Sequence, residues 1–213
     1  MAEQKKLKIA VIGGGVAGIV SAYLLQQKHQ VTLLEQNDYL GGHTNTVEIK
    51  DGPDAGLAVD TGFIVLNAST YPLFQTFLAQ LGVETRNAEM SFGFQCQQSG
   101  LVYAGNNLNG LFAQRRNLVR PTFYRFLLEI GRFSKQARED LASNSIPDIP
   151  LGDYLQRGNF SRFMIDNYLL PMAAAIWSTP ALRAADFPAA AFLRFFRNHG
   201  LLSFRDRPKW RTV

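Results

Sequence analysis

Gly13, Gly15 and Gly18 stand at the spacing G-x-G-x-x-G, and a carboxylate, Glu35, follows about 20 residues later. These residue types suit recognition of a dinucleotide diphosphate. Gly13 would make a tight turn, Gly15 would let the backbone approach a pyrophosphate, and Gly18 would let a helix pack closely on a strand. The phosphates would sit on N–H groups at the helix start, and Glu35 would accept from ribose hydroxyls while repelling a 2′-phosphate. Elements of the right kind surround these residues. Residues 9–12 are apolar and uncharged, which predicts a parallel strand buried on both faces. Residues 16–25 read as a helix and residues 31–34 as a second strand ending at Glu35. A glycine triplet alone is weak evidence, but here it has its strand, helix and terminal acid in the required order.

Two more segments remove side chains where a backbone must approach something. One is the Gly41-Gly42 doublet in a loop rich in polar residues, followed by His43 and Thr44. The other is Asp60-Thr61-Gly62, leading into the apolar run Phe63-Ile64-Val65. Between them, residues 46–49 and 57–59 read as short strands around a turn at residues 51–54.

The blocks VIGGGVAGIVSAYLL, LLEQNDYLGGHTNT and VDTGFIVLN resemble the N-terminal half of the flavin-dependent amine oxidoreductase superfamily, which includes monoamine oxidases, protoporphyrinogen oxidase and phytoene desaturases. GGHTNT, DTGFIV, PMAAAIWSTP and FFRNHGLL are most similar to a bacterial branch of FAD-dependent or NAD/FAD-binding oxidoreductases. The resemblance implies FAD as cofactor, with Val16, Ala17 and Gly18 along the pyrophosphate and Glu35 on the adenosine ribose beside Gln36. It implies that Gly42, His43 and Thr44 line the cofactor, although most of the superfamily has arginine where this chain has His43. A phosphate contact and a loop histidine fixing the turn both stay open for His43. Gly62, Phe63, Ile64 and Val65 match the segment that passes along the flavin ring, where side chains exclude water.

The implied fold class is α/β: a Rossmann-like, glutathione-reductase-type FAD-binding βαβ domain with an inserted, mostly helical α+β substrate domain. Its expected divisions are residues 1–85 for the FAD domain, 86–205 for the substrate domain and 206–213 for a return to the FAD domain. The second half of the superfamily carries a late glycine-acid motif that nothing here matches. The expectation is therefore an N-terminal portion, or a truncated gene product, with apolar surface uncovered where the remainder or a second copy would pack.

The later chain has a different texture. Pro72 follows a helix-start signal, and Leu73, Phe74, Phe77, Leu78 and Leu81 form a stripe that Gly82 ends. Residues 90–95 alternate and could pair with residues 101–103 as a hairpin over a substrate region. From Pro121 the period is helical, with Phe123, Phe126, Leu127, Ile130 and Phe133 on one face. Ser161 is placed to cap a further helix that Pro171 would kink, and a last helix is expected over residues 188–198. The 16 phenylalanines fit either a core or a pocket for a long apolar substrate, with core the more usual meaning of such stripes. Trp177 and His199 carry the same two readings.

The single cysteine, Cys96, excludes an internal disulfide and suits a reducing, cytoplasmic setting. No stretch has the roughly 18 consecutive apolar residues of a membrane span. The net charge is +5, gathered at Arg115, Arg116, Arg120, Arg125 and Arg132 and at Arg205, Arg207, Lys209 and Arg211. No nucleic-acid motif accompanies it, so the expectation is a solvated face or contact with an anionic ligand or membrane surface. His29, His43 and His199 lack metal-ligand spacing, and no serine sits in a nucleophile turn, so neither a metal nor a catalytic residue is assigned. The expected activity is hydride transfer to flavin from an amine or an apolar, acyl or isoprenoid-like small molecule. An NAD-dependent dehydrogenase and a dinucleotide-binding module without catalysis are the alternatives.

Overall fold

The computed structural model describes residues 5–177, 180–203 and 208–213, with Ala181 and Leu182 described by their backbone only. Arg205, Arg207, Ser178 and Thr179 lie outside the described residues. Two compact units are present. One runs to Leu66 and takes in Thr212; the other runs from Asn67 to Arg211 and takes in Val213.

The first unit opens with β1 (Lys8–Ile12), α1 (Val16–Leu25) and β2 (Gln30–Leu34). β1 and β2 are parallel, in a register from Lys8 opposite Gln30 to Ile12 opposite Leu34. Gly13 turns the chain out of β1 at φ 98°, a backbone angle glycine adopts without steric cost, and its N–H donates to the Leu34 carbonyl at 2.7 Å. β3 (Asn45–Glu48) and β4 (Ala58–Gly62) then pair antiparallel, with Thr46 Oγ1 donating to Asp60 Oδ1 at 2.7 Å. The short strands expected around the 51–54 turn are therefore present.

The prediction that β1 is buried on both faces is corrected. Its residues alternate between exposed and half-buried, and Ile12 is 86% exposed. Among the described residues β1 pairs with β2 alone, and a two-stranded ladder packed by α1 leaves alternate side chains open.

The second unit begins with α2 (Pro72–Gln80), which has proline in its first turn and Gly82 at φ 69° after it. Asn67, rather than Ser69 or Thr70, organises the entry: its Oδ1 accepts the N–H groups of both residues at 3.0 Å. After β5 (Arg86–Asn87), β6 (Gly93–Gln95) and β7 (Val102–Ala104) form the expected hairpin, with Phe94 opposite Tyr103. α3 (Leu108–Leu111) is capped by Asn107, and a 3₁₀ turn over Arg115–Val119 leads into α4 (Pro121–Ala142). α5 (Leu151–Arg157), α6 (Arg162–Met164), a π turn (Ile165–Leu169), α7 (Leu170–Trp177), α8 (Ala181–Ala184) and α9 (Ala189–Asn198) follow. β8 (Arg211–Thr212) is the last element.

Helical periodicity places Phe123, Phe126, Ile130 and Phe133 on the buried face of α4, as the spacing predicts. They meet Phe192 and Phe196 of α9 in one apolar cluster, where Phe192 and Phe196 stack at 4.1 Å. Burying a side chain of this size contributes about 1.5–3 kcal/mol, so the phenylalanines act here as core. Trp177 packs on Phe195 at 4.8 Å between ring centroids. His199 stacks on Phe195 at 3.8 Å, with its Nδ1 2.9 Å from the Phe195 carbonyl. Packing thus accounts for both side chains.

Ser161 caps α6 as expected, its Oγ accepting from the Met164 N–H at 3.2 Å. Pro171 has no N–H to offer the Asn167 carbonyl four residues back, and its ring would crowd that carbonyl. The chain relieves this by widening to the π turn, and the buried Tyr103 hydroxyl donates to the Asn167 carbonyl at 2.7 Å.

Several arginines of the basic clusters bind backbone carbonyls. Arg132 donates to the Gly158 carbonyl at 2.7 Å and the Asn159 carbonyl at 2.8 Å, and lies 4.1 Å over the Phe160 ring. Arg116 donates to the Gly100 carbonyl at 3.0 Å, and Arg211 to Thr85 Oγ1 at 2.6 Å and to the Thr85 carbonyl. Arg116 and Arg132 are exposed while making these bonds, since the guanidinium fork can serve carbonyls from the surface.

Candidate dinucleotide-binding site

Gly13, Gly14 and Gly15 link β1 to α1, so the loop is held at one end by the parallel ladder and at the other by a helix. The Gly14 N–H donates to Glu35 Oε2 at 2.5 Å. Glu35 Oε1 accepts from the Gln36 N–H at 2.8 Å, the Asn37 N–H at 2.9 Å and Asn37 Nδ2 at 3.2 Å. These donors, the Asn37 N–H foremost and the Gly14 N–H next, hold the Glu35 carboxyl below its ordinary value. The acid at the end of β2 is thus ionised and oriented by the loop it serves.

The three glycine segments lie backbone against backbone. Gly41 N–H donates to the Gly14 carbonyl at 2.8 Å, and Gly15 bridges Gly41 in parallel. A Cβ on Gly42 would stand 2.9 Å from Gly15 Cα, and one on Gly62 would stand 2.1 Å from the His43 carbonyl oxygen. Thr44 Oγ1 closes the doublet by donating to the Gly41 carbonyl at 2.6 Å. A Cβ on Gly18 would stand 1.8 Å from the Gly13 carbonyl oxygen, which is the helix-to-strand approach the spacing predicts.

Gly13 and Gly15 differ from the others. A Cβ on Gly13 would meet nothing within 4 Å, and one on Gly15 only Gly42 Cα, at 3.9 Å. The loop therefore has open space beside it, at the start of a helix with no acidic residue in its first turn and no side-chain cap. Such a helix start favours an anion. The residues present fit a dinucleotide diphosphate on this ground.

Val16 and Ala17 are exposed in the first turn of α1, and Gln36 is exposed beside Glu35. His43 is exposed, with its carbonyl over Gly62. Gly13, Gly15, Gly18, Glu35, Gln36, Gly42, His43, Thr44 and Gly62 are drawn into one network by the contacts above. Ile64 and Val65 take no part in it, and Ile64 is exposed. Phe63 follows Gly62 at φ 51°, a left-handed angle that a bulky residue rarely adopts. Such local strain clusters at ligand-contacting segments.

Sequence reasoning missed Gly14 and Asn37. A Cβ on Gly14 would stand 2.5 Å from Leu40 Cδ2 and 3.0 Å from Glu35 Oε2, so the middle glycine is required as well as its neighbours. The signal was the uninterrupted run of three glycines, of which the fingerprint uses two. In the second unit a hollow of about 450 Å³ is lined by Ala68, Gln75, Leu78, Val83, Lys209 and Arg211 among others. Arg211 there is committed to Thr85, and the hollow shares no residue with the glycine network.

Residues 11–81 match the family model described as NAD(P)-binding Rossmann-like domain. The chain is 31% identical over 114 residues to 15-cis-phytoene desaturase of Narcissus pseudonarcissus, an alignment covering 52% of this chain and 18% of that protein. It is 33% identical over 109 residues to tryptophan 2-monooxygenase of Allorhizobium ampelinum, covering 50% of this chain and 14% of that protein. Among solved structures, putrescine oxidase bound to putrescine superposes with a TM-score of 0.64 at 18% identity, over 99% of this chain and 46% of that one. The chain thus spans about half the length of that structure, and the curated alignments cover under a fifth of those relatives. With the glycine loop, its acid and the β1–α1–β2 unit in agreement, residues 11–81 are an NAD(P)-binding Rossmann-like domain.

Proposed function

We propose that the protein is an FAD-dependent oxidoreductase that takes a hydride from an amine or from an apolar, acyl or isoprenoid-like small molecule. Residues 1–85 would hold the cofactor, residues 86–205 would bind the substrate, and residues 206–213 would return toward the cofactor domain. The observation that carries this reading is the backbone stack of Gly15 on Gly42 and of His43 on Gly62, with Glu35 tied to Gly14. A glycine loop with its acid suffices for any dinucleotide; the second and third glycine segments stacked on it favour FAD.

Each residue then has a defined task. Glu35 Oε1 is saturated by three N–H donors, whereas Oε2 accepts one and keeps a lone pair for a ribose hydroxyl. Val16, Ala17 and Gly18 present the helix start to the pyrophosphate, and Gln36 flanks the ribose. Gly42, His43 and Thr44 hold the loop over which the cofactor continues. Gly62, Phe63, Ile64 and Val65 would line the ring and exclude water. FAD bound there supplies the hydride acceptor. The single cysteine supports a cytoplasmic protein.

A second reading, an NAD-dependent dehydrogenase, is favoured by one observation, the NAD(P)-binding description of the matched family model. The spectrum of the purified chain separates the two. Flavin absorbance that bleaches with an amine or apolar substrate supports the proposal; a colourless chain that binds NADH and not FAD contradicts it.

A further inference from the structure

Between Glu89 and Glu129 the sequence has no acidic residue, while Arg115, Arg116, Arg120 and Arg125 fall inside that interval. These charges stand on consecutive elements, the 3₁₀ turn and the N-terminal end of α4. Tyr124 Oη donates to the Leu118 carbonyl at 2.9 Å, and the Phe112 ring lies 6.1 Å from the Tyr124 ring, tying α3, the 3₁₀ turn and α4 together. Arg120 and Arg125 are exposed, and none of the four arginines forms a salt bridge among the described residues. Arg115 and Arg116 spend only part of their donors on Asn109 and on the Phe112 and Gly100 carbonyls.

Aliphatic side chains stand among these charges. Val119 is 83% exposed, Leu108 74% and Leu128 73%, and Leu118 and Tyr124 are exposed beside them. On α4, Pro121, Tyr124, Arg125 and Leu128 follow one another at helical spacing, so apolar and cationic groups share a face. No helix among the described residues is long and apolar enough to cross a membrane.

We infer that this arginine-rich surface, built from a stretch of sequence without acidic residues and centred on Val119 and the start of α4, docks the protein onto an anionic phospholipid bilayer. Guanidinium groups pair with lipid phosphates, while Val119, Leu118 and Leu128 enter the boundary between headgroups and acyl chains. A second copy of the chain is a poor occupant, because a two-fold interface would set four arginines against the same four arginines. Nucleic acid would be served by aromatic stacking platforms, whereas the side chains projecting here are mainly aliphatic.

The test is co-sedimentation of the whole 213-residue chain with vesicles of phosphatidylcholine alone or with about one-third phosphatidylglycerol. Binding is expected only with the anionic vesicles, weakening as salt shortens the Debye length. The double variant Arg120→Glu/Arg125→Glu is expected to bind at least about tenfold less. Arg120→Gln/Arg125→Gln should fall between it and the wild type. Val119→Ser should reduce binding while leaving its salt dependence in place. Dinucleotide binding measured on the same samples should be unchanged, since these residues lie outside the glycine network. Equal sedimentation with neutral vesicles, none with anionic vesicles, no loss in the double variant, or a change in self-association in place of vesicle binding would each overturn the inference.

Discussion

The hydroxyl of Tyr103, on the second strand of the hairpin, donates to the backbone carbonyl of Asn167 in the π turn at 2.7 Å. Sixty-four residues separate the two in sequence, and Pro171 has no N–H to offer that carbonyl from within the helix. Burial pushes the Tyr103 phenol well above its ordinary value, so it stays a donor throughout the working pH range. The hairpin is thereby fastened to the helical core by a polar contact as well as by the Phe94 and Phe126 rings.

Tyr103→Phe keeps the ring and removes the donor to the Asn167 carbonyl. A loss of about 1–3 kcal/mol is expected in denaturant unfolding. In a Pro171→Ala background the same change should cost less, because the alanine would bring a backbone N–H of its own. Equal costs in both backgrounds would show that the proline is not the reason for the bond.

Gly18→Ala should destabilise the first unit, since the new Cβ would have to stand 1.8 Å from the Gly13 carbonyl oxygen. A cost toward the upper end of the roughly 1–3 kcal/mol typical of overpacking is expected by thermal unfolding. Gly13→Ala would meet no atom within 4 Å but would be strained by its φ of 98°. A Gly18→Ala chain as stable as the wild type would contradict the close approach.

The Glu35 carboxyl is held below its ordinary 4.5 by the N–H groups of Asn37, Gly14 and Gln36. A depressed folded value means that the contribution to loop order is present above the unfolded value and is lost as pH falls through the folded one. The Gly14 amide resonance should therefore titrate with a midpoint below 4.5, and Glu35→Gln should abolish that titration. A midpoint at or above the ordinary value would mean the Gly14 contact is absent in solution.

Arg132 offers a contrast with Arg125. Arg132→Ala removes two bonds to carbonyls and the contact with Phe160, and a loss of about 1–2 kcal/mol is expected. Lysine should rescue little, because it lacks the planar fork. Arg125→Ala should leave stability within about 0.5 kcal/mol. Unfolding midpoints that fail to separate the two positions would remove the distinction between an arginine that clamps carbonyls and one that does not.

What could be read from the sequence follows from how local each feature is. The glycine fingerprint, the apolar stripe of α4, the Ser161 cap and the hairpin depend on spacing within a few residues, and all are present. The Gly14–Glu35 bond, the Asn67 turn and the Arg132 clamp depend on which carbonyls or N–H groups other elements leave unpaired. No periodicity carries that information. The full burial expected of β1 failed for a related reason: a run of apolar residues tells what a strand tolerates, while exposure depends on which strands pair beside it.

The central claim is that the open side of Gly15 receives the FAD diphosphate. Titration of FAD into the wild-type chain and into Gly15→Val tests it most directly, because Gly15 has φ −75° and a Cβ added there would meet no atom closer than 3.9 Å. The added side chain should fill the diphosphate site without disturbing the fold. The expected result is FAD binding by the wild type and a loss of at least about tenfold in the variant, with the two thermal unfolding curves alike. FAD affinity unchanged by Gly15→Val, or a wild-type chain that binds NADH but not FAD, would contradict the account.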